Sequence, residues 1–225
     1  MKFSVIIPTF NEGSQIAASL RRLREISKTS PMEVILVDGN SDDNTVGMAR
    51  DYVDEMIVMD KPNRGAQLHA GAQRAAGDLL LFLHADAQPP GTWQQALEHF
   101  WLSPHKGRAA ATVFTVDFGS SLGFRLASAA SNWSARWRNQ PTGEHGFCTT
   151  PEIYRESGGF PPYPIMEDVA FAQKIKNLGS VAVLKERIWP AARRMHSVGP
   201  LTCMLENSWR RLRYGLGANP EDLLA

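Results

Sequence analysis

The chain has 225 residues, of which 43% are hydrophobic and 21% are charged, and its formal net charge is +1. These values are ordinary for a globular protein with one large α/β domain or two small ones, and the balanced charge gives no indication of wholesale binding to nucleic acid. Because Cys148 and Cys203 lie far apart and form no CxxC pair, we expect reduced thiols rather than a disulfide or a zinc site.

The apolar run that opens the chain ends at Pro8, which is too early for a signal peptide. No unbroken apolar run reaches the roughly eighteen residues that a membrane-spanning helix requires. We therefore expect a cytoplasmic protein, and a peripheral contact with the inner face of the membrane is compatible with the sequence.

The first half of the chain repeats one pattern of apolar strand, polar loop and helix. Strands are predicted at 3–8, 33–38, 55–60 and 78–83. The first helix between them has Ile16, Leu20 and Leu23 on one face, and the next two span about 44–53 and 65–76. Strands that are apolar throughout are typical of a parallel sheet covered by helices on both faces. The sequence therefore predicts an α/β fold.

The second half is less regular. We predict a strand at 109–118, a loop at 140–150, a short strand at 181–184, and helices at 121–138, 165–179 and 203–217. No internal repeat, low-complexity tract or linker interrupts the chain, so we expect a single domain over residues 1–225.

Polar residues follow each strand of the first half, where a parallel α/β sheet binds its ligands. The four loops contain Thr9 to Glu12, Asp38 to Asp42, Asn63 to Gly65, and His84 to Asp86. Carboxylates, an arginine and flexible backbone suit a nucleoside diphosphate with a divalent cation. Neither a GxxxxGK[ST] loop nor a GxGxxG turn is present, which disfavours P-loop kinases and dinucleotide dehydrogenases.

Five segments, in this order, resemble the family 2 glycosyltransferases of GT-A fold: VIIPTFNE, VILVDGNSDDNT, NRGAQLHAGAQRAAGD, LLFLHAD and GGFPPYPIMEDVAFAQKIKNLG. A later segment, ARRMHSVG, fits a small bacterial subgroup associated with arsenosugar-type or similar pathways. The resemblance implies a Rossmann-like, mostly parallel sheet and inverting transfer of a sugar from a nucleotide donor, typically UDP-linked. It also implies a nucleotide-binding half over about 1–120 and an acceptor-binding half over about 121–225.

Carried over to this sequence, the resemblance assigns residues around the donor nucleotide. It places Thr9, Glu12 and Asp38, with their neighbours Pro8 and Gly39, around the nucleoside, and Arg64 near uracil or phosphate. Arg193 and Arg194 would meet the diphosphate in a flexible loop, for which a basic surface loop is the alternative. Asp38 could also act as an Asx-turn residue, and both roles can coexist because a carboxylate has several acceptor sites.

The resemblance makes Asp168 the general base of the transfer, with Glu167 orienting it or binding acceptor hydroxyls. An inverting displacement needs such a base, because an acceptor hydroxyl attacks opposite the leaving diphosphate and must lose its proton. Both carboxylates also begin a predicted helix, where the helix dipole favours negative charge, so a capping role is the alternative.

The resemblance places Asp86 at the metal and the diphosphate. The family often has two aspartates here, and His84 replaces the first of them. We expect Mn²⁺ or Mg²⁺ at Asp86, with His84 on the nucleotide ribose or a water, or as a histidine satisfied within the protein. Direct ligation by His84 is the alternative, and it would favour Mn²⁺, which accepts imidazole, over Mg²⁺, which prefers oxygen. A further ligand is expected from His196.

The expected partners are a nucleotide-sugar donor and an acceptor that could be a small molecule, a glycan or a lipid, without nucleic acid; the oligomeric state is not defined by the sequence. Trp209, Tyr214 and the arginines between them fit an interfacial helix on anionic lipid, or a helix packed on the domain with its arginines in water.

A nucleotidyltransferase and a non-catalytic sugar-nucleotide binding module are the alternative functions. The first would need a glycine- and lysine- or arginine-rich phosphate loop where TFNEG stands, and Asp86 together with Asp168 argues against the second.

Overall fold

A computed structural model describes residues 1–104, 107–191 and 193–224, except for the side chain of Arg194. Within these residues a mixed sheet has seven strands in the order β3-β2-β1-β4-β6-β5-β7. Strand β6 runs antiparallel to both of its neighbours, and the other pairs are parallel. The strands are β1 (Phe3–Thr9), β2 (Met32–Asp38), β3 (Glu55–Val58), β4 (Leu79–Phe82), β5 (Ala109–Val116), β6 (Phe147–Thr149) and β7 (Ser180–Ile188).

Helices cover the sheet and connect its strands. They are α1 (Ile16–Ile26), α2 (Thr45–Ala49), α3 (Arg64–Arg74), α4 (Trp93–Leu102), α5 (Leu122–Arg138), α6 (Pro151–Glu156), α7 (Glu167–Leu178), α8 (Arg193–Val198) and α9 (Pro200–Gly215). The α/β fold with a mostly parallel sheet is confirmed. Helices α4, α6 and α8 were not predicted, and the predicted loop at 140–150 contains β6. The flexible loop expected at Arg193 and Arg194 is wrong, because α8 begins at Arg193. Among the described residues, no helix is both long enough and apolar enough to cross a membrane.

The core lies on both faces of the sheet, which explains why the strands of the first half are apolar throughout. All seven residues of β1 are buried. Phe3, Val5 and Ile7 pack in one apolar cluster, whereas Ile6 points to a second cluster on the opposite face. Alternate side chains of a strand project to opposite faces, so a strand with two covered faces needs apolar residues at every position.

The short antiparallel strand β6 brings a distant loop to the carboxyl edge of the sheet. Phe147, the first residue of β6, pairs with Phe82, the last residue of β4. Because the two strands run in opposite directions, the loop that precedes β6 lies beside the loop that follows β4. Gly143 confirms this closeness, since a Cβ atom there would lie 2.5 Å from Nε2 of His84.

Candidate active site

A cavity of about 420 Å³ lies beyond the carboxyl ends of β1 and β4, and we call it the strand-end cavity. Three predicted loops meet in its wall, together with the N-terminus of α3. Six of the residues predicted to bind the nucleotide or a metal line it: Pro8, Thr9, Glu12, Arg64, His84 and Asp86.

Asp38 is buried beside the strand-end cavity, and its carboxylate is engaged by its own loop. It accepts hydrogen bonds from the Thr9 hydroxyl at 3.0 Å and from the backbone N–H and hydroxyl of Ser41 at 2.7 and 2.6 Å. Gly39 donates to the carbonyl of Thr9 at 2.8 Å, and a Cβ at Gly39 would lie 2.8 Å from the Cα of Pro62. Both residues hold the cavity wall in place, and their contact with a nucleotide stays a prediction.

One residue that we did not predict fixes helix α3 to the sheet edge. The side-chain amide of Gln67 donates to the carbonyls of Thr9 and Val37, both at 2.8 Å. Its oxygen accepts from the backbone N–H of Asn63 at 3.2 Å, next to the first residue of α3. Gln67 therefore positions the start of α3, and with it Arg64, against the ends of β1 and β2.

Two carboxylates at the cavity converge on a single nitrogen. Nη2 of Arg193 lies 2.9 Å from both carboxylate oxygens of Glu12 and 2.9 Å from Oδ2 of Asp86. Gln15 donates to Glu12 at 2.7 Å and holds that carboxylate in place. The positively charged guanidinium of Arg193 thus lies where the two carboxylates meet.

The other residues that we predicted around the metal and the diphosphate are His196 and Arg194. His196 is exposed and packs against the ring of Phe124, with their ring centroids 4.8 Å apart. Its role as a metal ligand stays a prediction, and the carboxylate that does meet Asp86 is that of Glu12. The side chain of Arg194 lies outside the part of the chain that the structure describes. Within that part, no three His, Cys, Asp or Glu side chains are grouped closely enough to hold a metal ion.

Arg64 and Glu167 form an ion pair between α3 and α7. The Arg64 guanidinium donates to both carboxylate oxygens of Glu167, through Nε to Oε1 and through Nη2 to Oε2 at 3.1 Å. The Glu167 side chain is only 1% exposed, and burial raises its pKa above the usual range against the opposing charge of Arg64. Glu167 therefore acts as the anchor that fixes the direction of Arg64.

The close approach of α3 and α7 depends on a glycine next to Arg64. A Cβ atom at Gly65 would overlap with the carbonyl oxygen of Pro161 and lie 3.0 Å from the Cβ of Glu167. Met166, the residue before α7, adopts a left-handed backbone with φ +65°, which is uncommon for a residue other than glycine. This bend turns the chain so that Glu167 and Asp168 both begin the helix.

Asp168 is held by two backbone N–H groups. Its Oδ2 accepts from Gly143 at 2.8 Å and its Oδ1 accepts from Val169 at 2.7 Å. Burial raises the pKa of Asp168, but the charge of Arg64 and the bond from Gly143 outweigh burial and bring the pKa below its usual range. The carboxyl is therefore ionised near neutral pH and oriented, as a general base must be.

Asp168 faces a second cavity of about 260 Å³, the Asp168 cavity, which is lined by residues from the loop before β6 and from α9. Glu144 is a member that we had not assigned to the site: burial, and after it the charge of Asp168, raises its pKa to about 7. Asn207, Arg210 and Arg211 of α9 complete the wall. The glycines on both sides of Glu144 were the one sequence signal for this loop.

The strand-end cavity and the Asp168 cavity share the side chains of Arg64 and His84 in their walls. Burial, followed by the charge of Arg64, lowers the pKa of His84 to about 4, so its imidazole is neutral. A molecule in the first cavity and a molecule in the second would meet at these two side chains. The two cavities thus adjoin at Arg64 and His84.

The model of the family described as Glycosyl transferase family 2 matches residues 4–160, which is more than half of the chain. The protein is a family 2 glycosyltransferase. Membership confirms the resemblance drawn from the sequence motifs.

Curated relatives of this glycosyltransferase include the undecaprenyl-phosphate 4-deoxy-4-formamido-L-arabinose transferase of Serratia proteamaculans, 37% identical over 98 residues. That match covers 40% of this chain and 30% of the relative, so the chain spans about a third of the length of such relatives. The succinoglycan biosynthesis protein ExoA of Rhizobium meliloti is 25% identical over 229 residues, covering 95% of this chain and 68% of that protein.

Solved structures show that the glycosyltransferase has the GT-A fold. Glucosyl-3-phosphoglycerate synthase from Mycobacterium tuberculosis, with Mn²⁺, UDP-glucose and phosphoglyceric acid, superposes with a TM-score of 0.67 at 16% identity, over 95% of this chain and 79% of that one. TarS of S. aureus with UDP-GlcNAc gives a TM-score of 0.63 at 19% identity, over 85% of this chain and 58% of that one.

Proposed function

We propose that this glycosyltransferase moves a sugar from a nucleoside diphosphate donor, of the UDP type, to an acceptor hydroxyl with inversion, and that Asp168 is the general base. The observation that carries the proposal is the meeting of two cavities at Arg64 and His84. The donor would occupy the strand-end cavity, and the acceptor would enter the Asp168 cavity from the other side.

The strand-end cavity has the position and composition expected of a donor site. It lies beyond the carboxyl ends of parallel strands, where α/β folds bind nucleotides. Thr9 and Asn63 lie in its wall, and Arg64 offers a positive charge for a phosphate oxygen. Solved relatives of the same fold contain UDP-GlcNAc or UDP-glucose, and that supports a UDP-sugar for this chain.

A divalent cation fits the carboxylates of Glu12 and Asp86. Their oxygens already meet at one positively charged nitrogen, and Mg²⁺ and Mn²⁺ bind such oxygen donors together with phosphate oxygens and waters. When bound, the ion would neutralise charge on the donor diphosphate. Because Arg193 occupies this position in the structure, it would have to move away from both carboxylates.

The chemistry follows from the positions of Arg64 and Asp168. The bond between the anomeric carbon and the diphosphate oxygen breaks as the bond between that carbon and the acceptor oxygen forms on the opposite face. Asp168 takes the acceptor proton, and the diphosphate leaves with the bonding electron pair. Arg64, fixed by Glu167, would stabilise the negative charge that develops on the leaving group.

Arg210 and Arg211 indicate the class of acceptor. Both line the Asp168 cavity, where the acidic side chains are Glu144 and Asp168. An acceptor that carries an anionic group near its reacting hydroxyl would complement these arginines. Two relatives are consistent with this class, one named for undecaprenyl phosphate and one crystallised with phosphoglyceric acid.

The test is hydrolysis of UDP-glucose with Mn²⁺, in which water takes the place of the acceptor. Donor glucose is α-linked, so inversion releases β-glucose first, and proton NMR distinguishes the two anomers before they equilibrate. Release of α-glucose first would refute inversion. No release of UDP from UDP-glucose, UDP-GlcNAc or UDP-galactose, combined with release of GDP from GDP-mannose, would refute the UDP assignment.

A further inference from the structure

Exposed apolar side chains are concentrated on two helices next to the Asp168 cavity. Among the described residues, sixteen large apolar side chains are exposed. Nine of them lie in α5, α8 or α9, and a tenth, Leu216, directly follows α9. Trp137 is 77% exposed, Leu205 is 72% exposed and Trp209 is 60% exposed. Scattered exposed apolar residues are normal, but a concentration on adjacent helices marks a contact surface.

On each helix these residues form one stripe. In α5 the exposed members are Leu122, Leu126, Trp133 and Trp137, and along α9 they are Leu201, Leu205, Trp209, Leu212 and Leu216. Successive members are three, four or seven residues apart, and these steps return to the same side of a helix. We call the two rows together the apolar stripes.

Helices α5 and α9 lie side by side, so the apolar stripes belong to one region of the surface. Their first turns touch, because a Cβ atom at Gly123 would lie 2.6 Å from Cγ of Pro200. Between the helices lies a groove of about 470 Å³, lined by residues such as Ala127, Ala130 and Met204. Trp133 is both a member of a stripe and a wall of this groove.

The charge of this region differs from that of the remaining chain. Helices α5 and α9 contain six arginines and one acidic residue, Glu206. Because the whole chain has 24 basic and 23 acidic residues, 18 basic and 22 acidic residues remain outside these two helices. The two helices are therefore strongly positive on a protein that is otherwise negative. Exposed Trp and Leu beside arginine are the composition of a surface that lies on anionic lipid.

We propose that the apolar stripes dock on the surface of an anionic lipid bilayer. The groove between α5 and α9 shares Thr142, Glu144, Asn207 and Arg211 with the Asp168 cavity. An amphiphilic acceptor could thus leave the bilayer with its apolar part in the groove and its polar head at Asp168. Docking itself does not depend on the proposed chemistry, whereas this route for the acceptor rests on the proposed function.

The experiment is flotation of the full chain with vesicles, without nucleotide. One set is phosphatidylcholine alone, and the other contains about one third phosphatidylglycerol. We expect binding to the anionic vesicles, with a decrease when NaCl is raised from about 50 to about 500 mM. The triple variant W137S/L205S/W209S should bind at least about tenfold more weakly.

A matched control replaces exposed apolar residues elsewhere. Leu102 is 69% exposed and Val58 is 55% exposed, so L102S/V58S removes exposed apolar side chains outside the stripes and should bind like the unaltered chain. Equal binding of the triple variant and the control would overturn the proposal. A second result would also overturn it: the unaltered chain does not bind vesicles and is a dimer, whereas the triple variant is a monomer. The stripes would then contact a second copy of the chain. Asp168→Asn should bind vesicles normally, which separates failure of docking from failure of the proposed catalysis.

Discussion

Replacement of Asp168 by asparagine tests the proposed base with almost no change in side-chain volume. A positioned general base contributes about 10²- to 10⁴-fold to a rate, so kcat should fall by about that factor. The carboxylate accepts from Gly143 and Val169, whereas an asparagine has one oxygen and an NH₂ group that must face one of these donors. An unsatisfied buried donor costs about 1–3 kcal/mol, which is the expected loss of unfolding free energy.

The assay has three measurements on the Asp168→Asn variant: kcat from UDP release, UDP affinity by calorimetry, and unfolding in urea. Asp168 is not among the residues that line the strand-end cavity, so the Kd for UDP should stay within about threefold. Asp51→Asn, at an exposed position, is the matched control and should leave all three values unchanged. Weak UDP binding together with an unchanged rate per bound donor would refute the assignment of Asp168 as base.

The dependence of kcat on pH separates Asp168 from its neighbour Glu144. A base works in its ionised form, so kcat rises as pH rises through the pKa of the base and is constant above it. The pKa of Asp168 is lowered, which predicts a flat profile from about pH 5 to about pH 8. Glu144 has a pKa raised to about 7, so a fall of kcat below about pH 7, together with a Glu144→Gln variant whose kcat is low at every pH, would make Glu144 the base.

Three further substitutions test the architecture of the site. Arg64→Met leaves the buried carboxylate of Glu167 without its partner and should cost about 3–5 kcal/mol in urea unfolding. In that variant the folded-state pKa of Glu167 lies further above its unfolded value. The loss of unfolding free energy is therefore absent below the unfolded pKa and grows as pH rises above it. A loss of unfolding free energy that does not depend on pH would contradict this reasoning. Gly65→Ala should lower the unfolding free energy by about 1–3 kcal/mol, whereas Gly215→Ala, with open space around its Cα, should not lower it. Arg193→Ala should strengthen binding of Mn²⁺ alone by roughly two- to fivefold in a calorimetric titration, and weaker binding would show that Arg193 does not compete for the two carboxylates.

The first half of the fold was predictable because β1, β2 and β4 are covered on both faces and therefore appear in the sequence as unbroken apolar runs. Strand β6 was not, since three residues are too few for any periodicity and its direction is set by pairing with β4 and β5. The same limit applies to the site. Thr9 and Asp86 follow strands and could be placed at the edge, but the contact of Glu12 with Arg193 joins residues 181 positions apart, and no local pattern encodes it.

The position of β6 has a consequence for any attempt to divide the chain. The halves at about 1–120 and 121–225 do not correspond to separate sheets, because β6 lies between β4 and β5 and β7 pairs with β5 on its other side. A fragment that ended near residue 120 would leave β5 detached from the rest of its sheet and β4 with a free edge. Free strand edges pair with other chains, so such a fragment would aggregate rather than bind nucleotide. Exchange of acceptor specificity between relatives would therefore have to be made loop by loop and helix by helix, within an intact sheet.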